Sequence, residues 1–130
     1  IMKKLSNYSV LLFLIFFGCF TNYGNVKSSE GKNIVHTEAY PNGNLKEATT
    51  FTNHQGSMVI IGEKTFFENG KTRMEKLYFI KHQGNVVITS EKTYFENGKL
   101  RLSKSYDMDG NLSQLLELDE NGKTINMLVI

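Results

Sequence analysis

The chain has 130 residues, 40% of them hydrophobic and 22% charged, with one proline, which fits one globular domain and excludes a disordered composition. Its formal charge of +2 comes from Lys3 and Lys4: the fifteen basic residues less these two leave thirteen, against thirteen acidic ones, all from Cys19 onward. A neutral chain with interspersed charges leaves no electrostatic footprint for nucleic acid, and one cysteine excludes an intrachain disulfide.

In chain order, Lys3 and Lys4 precede an apolar run from Val10 to Phe17 that closes on Gly18-Cys19. A basic start, a short apolar segment and a small residue before the break are the parts of a secretory signal peptide, expected as a helix over 1–18. The run is well short of the roughly 20 apolar residues that span a bilayer. Cys19 directly after Gly18 resembles the lipobox of bacterial lipoproteins, although Phe16 and Phe17 stand where that motif has Leu and a small residue. The resemblance implies acylation at Cys19 and a membrane anchor, since two or more acyl chains make anchoring stable. The other readings are a conventional signal, cleaved or retained, with an idle thiol. Residues 19–33, rich in Asn, Ser, Gly and Lys, read as a tether with too little apolar surface to fold.

From Ile34 onward, glycine-centred turns fall at positions 43, 56, 70, 84, 98, 110 and 122. Segments between them are β-branched and aromatic, which favours strands over short uncapped helices. Thr65-Phe66-Phe67-Glu68-Asn69-Gly70-Lys71 returns as Thr93-Tyr94-Phe95-Glu96-Asn97-Gly98-Lys99. Aligning Asn53–Ile80 with Lys81–Met108 gives sixteen identities in twenty-eight positions, so the repeating unit is two strands and two turns. The expected fold is all-β: an elongated single-layer antiparallel meander of stacked β-hairpins over 34–130.

Asn-Gly between strand-like runs favours a two-residue type I′ turn. That register sets Glu68 against Lys71, Phe66 against Arg73, Lys64 against Glu75 and Glu63 against Lys76. One unit later it sets Glu96 against Lys99, Tyr94 against Arg101 and Glu91 against Lys104. A three-residue loop would put Glu63 opposite Glu75, a like-charge pair. Simple alternation then gathers Val59, Ile61, Phe67, Met74, Tyr78, Ile80, Val87, Phe95, Leu100, Leu102 and Tyr106 on the core side. The other side, with Ile60, Phe66, Leu77, Phe79, Ile88, Tyr94 and the two arginines, is mixed.

The recurring aromatic-x-Asn-Gly-Lys-x-Arg pattern resembles the bacterial variant of the MORN repeat. It appears at Tyr40–Lys46 and in the two central units, and more weakly at Tyr106–Leu112 and Leu118–Lys123. The resemblance implies an elongated single-layer sheet. It also brings two functional associations: an antitoxin role for many bacterial relatives, and membrane and scaffolding roles for eukaryotic ones. The last strand, Ile125 to Ile130, is apolar without a polar cap, as in a truncated reading frame or an edge that pairs with a partner.

The chemistry-bearing residues point away from catalysis. His54 and His82 are equivalent in the repeat, about 10 Å apart across two strand spacings, too far to share a metal with bonds of about 2 Å. Glu68 and Glu96 are separated similarly and read as turn residues rather than a carboxylate pair. Arg73 with Phe66, and Arg101 with Tyr94, are candidate cation–π pairs and the candidate binding strip. No phosphate loop or metal motif is present, so no cofactor, metal or enzymatic activity is expected. The expected function is that of a membrane-tethered, non-catalytic module of a bacterial cell envelope, on its periplasmic or surface face, which binds an unidentified protein or envelope component. The alternative is an antitoxin-like protein that neutralises a toxin.

Overall fold

A computed structural model describes residues 32–130; the expected signal peptide, Cys19 and most of the tether lie outside the described residues. Eight strands form one antiparallel sheet in sequential order. They are β1 (Asn33–Ala39), β2 (Leu45–His54), β3 (Ser57–Phe66), β4 (Thr72–Ile80), β5 (Val86–Tyr94), β6 (Leu100–Tyr106), β7 (Leu112–Leu118) and β8 (Thr124–Val129). The all-β single-layer meander read from the glycine spacing is therefore the observed fold, and no helix occurs among the described residues.

The turns depart from the expected type. Between β3 and β4, Gly70 N–H donates to Phe67 O at 2.9 Å and Phe67 N–H donates to Lys71 O at 2.8 Å. This is a three-residue loop in which Gly70 takes the left-handed conformation (φ 84°), as a type I turn with a following glycine bulge requires. The same pair of hydrogen bonds closes the turns centred on Gly43, Gly84, Gly98, Gly110 and Gly122. The two-residue form occurs instead at Gln55-Gly56, where His54 faces Ser57 and both central residues have positive φ, 51° and 83°. Asn69 selects the longer loop because its Oδ1 accepts the Lys71 N–H at 2.9 Å, and Asn42 and Asn97 do the same for Asn44 and Lys99.

A three-residue loop shifts the register by one, and a bulge shifts it back. Phe66 faces Thr72, but Thr65 faces Met74, so Arg73 is the extra residue. The pairs Lys64 with Glu75, Glu63 with Lys76 and Glu91 with Lys104 are thus as expected. Near the turns the expected pairs are absent: Phe66 faces Thr72 rather than Arg73, Tyr94 faces Leu100 rather than Arg101, and Glu68, Lys71, Glu96 and Lys99 lie outside the ladders. Every hairpin carries one such irregularity.

The bulges also redistribute the faces, because one extra residue inverts the alternation beyond it. The ladders place Val35, Ala48, Lys64, Phe66, Glu75, Leu77, Phe79, Lys92 and Tyr94 on one face, the front. They place Glu63, Lys76, Tyr78, Ile80, Ile88, Glu91, Leu102, Lys104 and Tyr106 on the back. The core list obtained from simple alternation therefore mixes the two faces. Among the described residues the buried apolar side chains are Val35, Ala48 and Phe66, with Leu45 packed against them. Phe66, which simple alternation put on the mixed face, is 1% exposed, and Tyr40 Oη donates to its carbonyl at 2.8 Å. A single layer has no second sheet to pack against, so most apolar side chains stay half-buried.

Candidate functional site

Where a three-residue loop joins two strands, the bulge restores the register before mid-strand, and two rows of side chains run straight across all eight strands. On the front the row is Thr37, Ala48, Lys64, Glu75, Lys92, Ser103, Leu116 and Met127. On the back it is His36, Thr49, Glu63, Lys76, Glu91, Lys104, Leu115 and Leu128. The 28-residue unit is the cause: Lys64 and Lys92, Glu63 and Glu91, and Lys76 and Lys104 are repeat equivalents two strands apart.

The front row holds the shortest ion pair among the described residues. Lys64 Nζ lies 2.8 Å from Glu75 Oε1, with the two side chains 27% and 32% exposed, and Tyr94 Oη donates to Glu75 Oε2 at 3.0 Å. Partial burial disfavours the charged carboxylate. The hydrogen bonds from Lys64 and Tyr94 and the charges of Lys64 and Lys92 outweigh it, so the Glu75 pKa lies below the usual carboxylate value. Burial and the same carboxylate push the Tyr94 phenol up to about 12. Thr50, Gly62, Leu77 and Ser90 join this cluster around a shallow groove across β2 to β5. An ionised carboxylate held between a lysine and a protonated phenol stores charge and orders the face.

On the back face Tyr78 Oη donates to Glu63 Oε2 at 2.5 Å and Tyr106 Oη to Glu91 Oε2 at 3.3 Å. Burial first, then Glu63 as acceptor and the charges of Glu63 and Glu91, push the Tyr78 phenol up to about 12. Tyr106 moves upward in the same way. Lys76 and Lys104 stand beside these carboxylates in the row, yet no ion pair within 4.0 Å forms at either lysine among the described residues. Above the row, Met58, Val59, Ile60, Tyr78, Val86 and Ile88 line an apolar depression. It opens where the β3–β4 ladder ends at Gly62 and Leu77.

Turn side chains tie one hairpin to the next. Asn42 and Asn44 both donate to Glu68 O, at 3.0 and 2.7 Å, and Asn69 donates to Glu96 O at 3.1 Å. Glu68 and Glu96 therefore serve the turns through their carbonyls. At the opposite end His54 packs near Gly84, 4.0 Å from where a β-carbon would stand, while His82 sits exposed in its loop.

The four residues expected as a binding strip are not brought together. Phe66 is buried with Lys64 over its ring at 5.7 Å, and Tyr94 is bonded to Glu75. Arg101 is exposed and lies over Phe95 at 5.7 Å rather than over Tyr94. Arg73, also exposed, is the unpaired bulge residue in β4, as Arg101 is in β6. The tyrosine–glutamate pairs escaped the sequence reading, although their signal was present: Tyr78 and Tyr106 each follow their acceptor by fifteen residues.

Comparison with known proteins assigns no family: no family model and no curated protein matches the chain. Among solved structures it is similar to a DUF3836 family protein from Parabacteroides distasonis, at 16% sequence identity and a TM-score of 0.32, covering 76% of this chain and 89% of that one.

Proposed function

We propose that this protein is a non-catalytic, MORN-like β-repeat module, tethered to a bacterial membrane through an acylated Cys19, that binds another protein or polymer of the cell envelope. The observation that carries the reading is the single-layer sheet, in which only three apolar side chains among the described residues are buried and the rest of both faces is available for contact. Such a sheet spends its apolar surface on recognition as much as on its own core. The front groove offers a candidate contact surface: a polar floor of Thr50 and Ser90, an apolar wall at Leu77 (56% exposed), with Phe79 (46% exposed) farther along the same face, and the Lys64–Glu75–Lys92 row to fix orientation. The test is mass spectrometry of the mature N-terminus from a membrane fraction, followed by cross-linking in intact cells. A diacylated or triacylated Cys19 and a reproducible envelope neighbour are expected. A soluble product without acyl groups refutes the anchor, and a Leu77→Asp, Phe79→Asp variant that still captures the same neighbour refutes the front face as its contact.

A further inference from the structure

We propose that the sheet pairs face to face with a second copy of the chain through its back face, related by a two-fold axis that runs parallel to the strands between β4 and β5. This goes beyond the tethered-module reading, because it concerns the opposite face and needs neither the anchor nor the envelope partner.

Three observations on the back face lead there. The first is charge order. The row reads Glu63, Lys76, Glu91, Lys104 on four consecutive strands. An even alternating row becomes its own complement when reversed. The proposed axis sets Glu63 against the second copy's Lys104 and Lys76 against its Glu91, and the two remaining contacts follow by symmetry. Lys76 and Lys104 have charge to give, since neither forms an ion pair among the described residues. On the front row, by contrast, Lys64 already lies 2.8 Å from Glu75. Reversal there sets Lys64 against Ser103, which carries no charge to complement it.

The second is apolar surface. Beside the charged row lie Met58 (49% exposed), Val86 (41% exposed), Ile60, Tyr78, Ile80 and Ile88. The same axis places Tyr78 and Ile80 of β4 over Ile88 and Val86 of the other copy's β5, and Met58 and Ile60 of β3 over Tyr106 of its β6. Apolar groups thus meet apolar groups on one side of the row. On the other side, Thr65 meets Leu102 and Met74 meets Thr93.

The third is area. Eight strands at about 4.8 Å spacing, each presenting about seven residues of 3.3 Å rise, span a face of about 900 Å². A standard stable interface buries about 800 Å² on each partner. Two twisted sheets packed about 10 Å apart supply the second layer that a lone sheet lacks. Apolar burial holds this pair together, and the charged row selects its orientation.

The experiment is a charge-swap series on the full chain, isolated in detergent and measured by sedimentation and by cross-linking in intact cells, with far-UV circular dichroism on every variant. The native chain is expected at twice the single-chain mass. Glu63→Lys with Glu91→Lys makes the row uniformly basic and shifts the protein to single-chain mass. Adding Lys76→Glu and Lys104→Glu restores alternation with the signs exchanged, and the doubled mass returns. A native chain at single-chain mass, a basic-row variant that stays doubled, or a sign-exchanged variant with native dichroism that stays single each overturns the proposal.

Discussion

Truncating Phe66 to alanine tests the register and the core at once. The ring is 1% exposed and belongs to the buried apolar cluster among the described residues, with Val35 and Ala48. Burial of an aromatic side chain removes on the order of 150–250 Å² from water, which at about 25 cal/mol per Å² is about 4–6 kcal/mol. Phe→Ala in a packed core typically costs about 3–5 kcal/mol, and a single-layer sheet can partly collapse into the vacated space, so about 3 kcal/mol is expected. Phe67 is the control. Strict alternation makes Phe67 the core residue and Phe66 the outer one, whereas the bulge reverses them and leaves Phe67 half-buried outside the ladders. Phe67→Ala should therefore cost about 1 kcal/mol, at the centre of measured point-mutant effects. Equilibrium urea unfolding followed by far-UV circular dichroism measures both changes. A larger loss at Phe67 than at Phe66, or a Phe66→Ala cost below about 1 kcal/mol, refutes the register argument.

Three further outcomes are expected. Tyr78 and Tyr94 have phenol pKa values raised from 10.0 to about 12, so the unfolded chain loses these protons before the folded one does. Stability is then fully present below pH 10 and falls as pH rises from 10 through 12; tyrosinate absorbance in the folded protein rising for every tyrosine near the ordinary value would contradict this. Asn69→Ala removes both an acceptor for Lys71 N–H and a donor to Glu96 O and should cost about 1–2 kcal/mol. Asn97→Ala, which removes the Lys99 contact, should cost about half as much by the same thermal or urea denaturation. Gln55 has φ 51°, which asparagine tolerates better, so Gln55→Asn should raise the unfolding free energy by about 0.5–1 kcal/mol. An unchanged or lowered midpoint would show that the two-residue turn at Gln55-Gly56 is not the state in solution.

Strand number and order were legible because glycine at 12 to 14 residue intervals punctuates any other regular structure. Mid-strand pairing was also legible, since Lys64 with Glu75, Glu63 with Lys76 and Glu91 with Lys104 satisfy opposite charges. What escaped was the pair of compensating one-residue steps. Asn69 favours a three-residue loop through its side-chain acceptor, and Arg73 absorbs the extra residue as a bulge. The mid-strand register of a two-residue turn is recovered while every contact near the turn changes. Charge pairing reports the net shift and is blind to two steps that cancel. The front cluster around Glu75 was half visible: its lysine partner follows from the ladder, but Tyr94 reaches it from a neighbouring strand across nineteen residues.

The cancellation has a consequence for growth. Since the surplus residue of each three-residue loop is absorbed before mid-strand, a further copy of the 28-residue unit spliced after Ile80 would enter in phase, and both transverse rows would simply lengthen by two positions. A sheet built this way sets no length of its own. Lengthening by whole units leaves the existing pattern of contacts untouched, whereas gain or loss of a single residue within a strand would turn everything beyond it inside out.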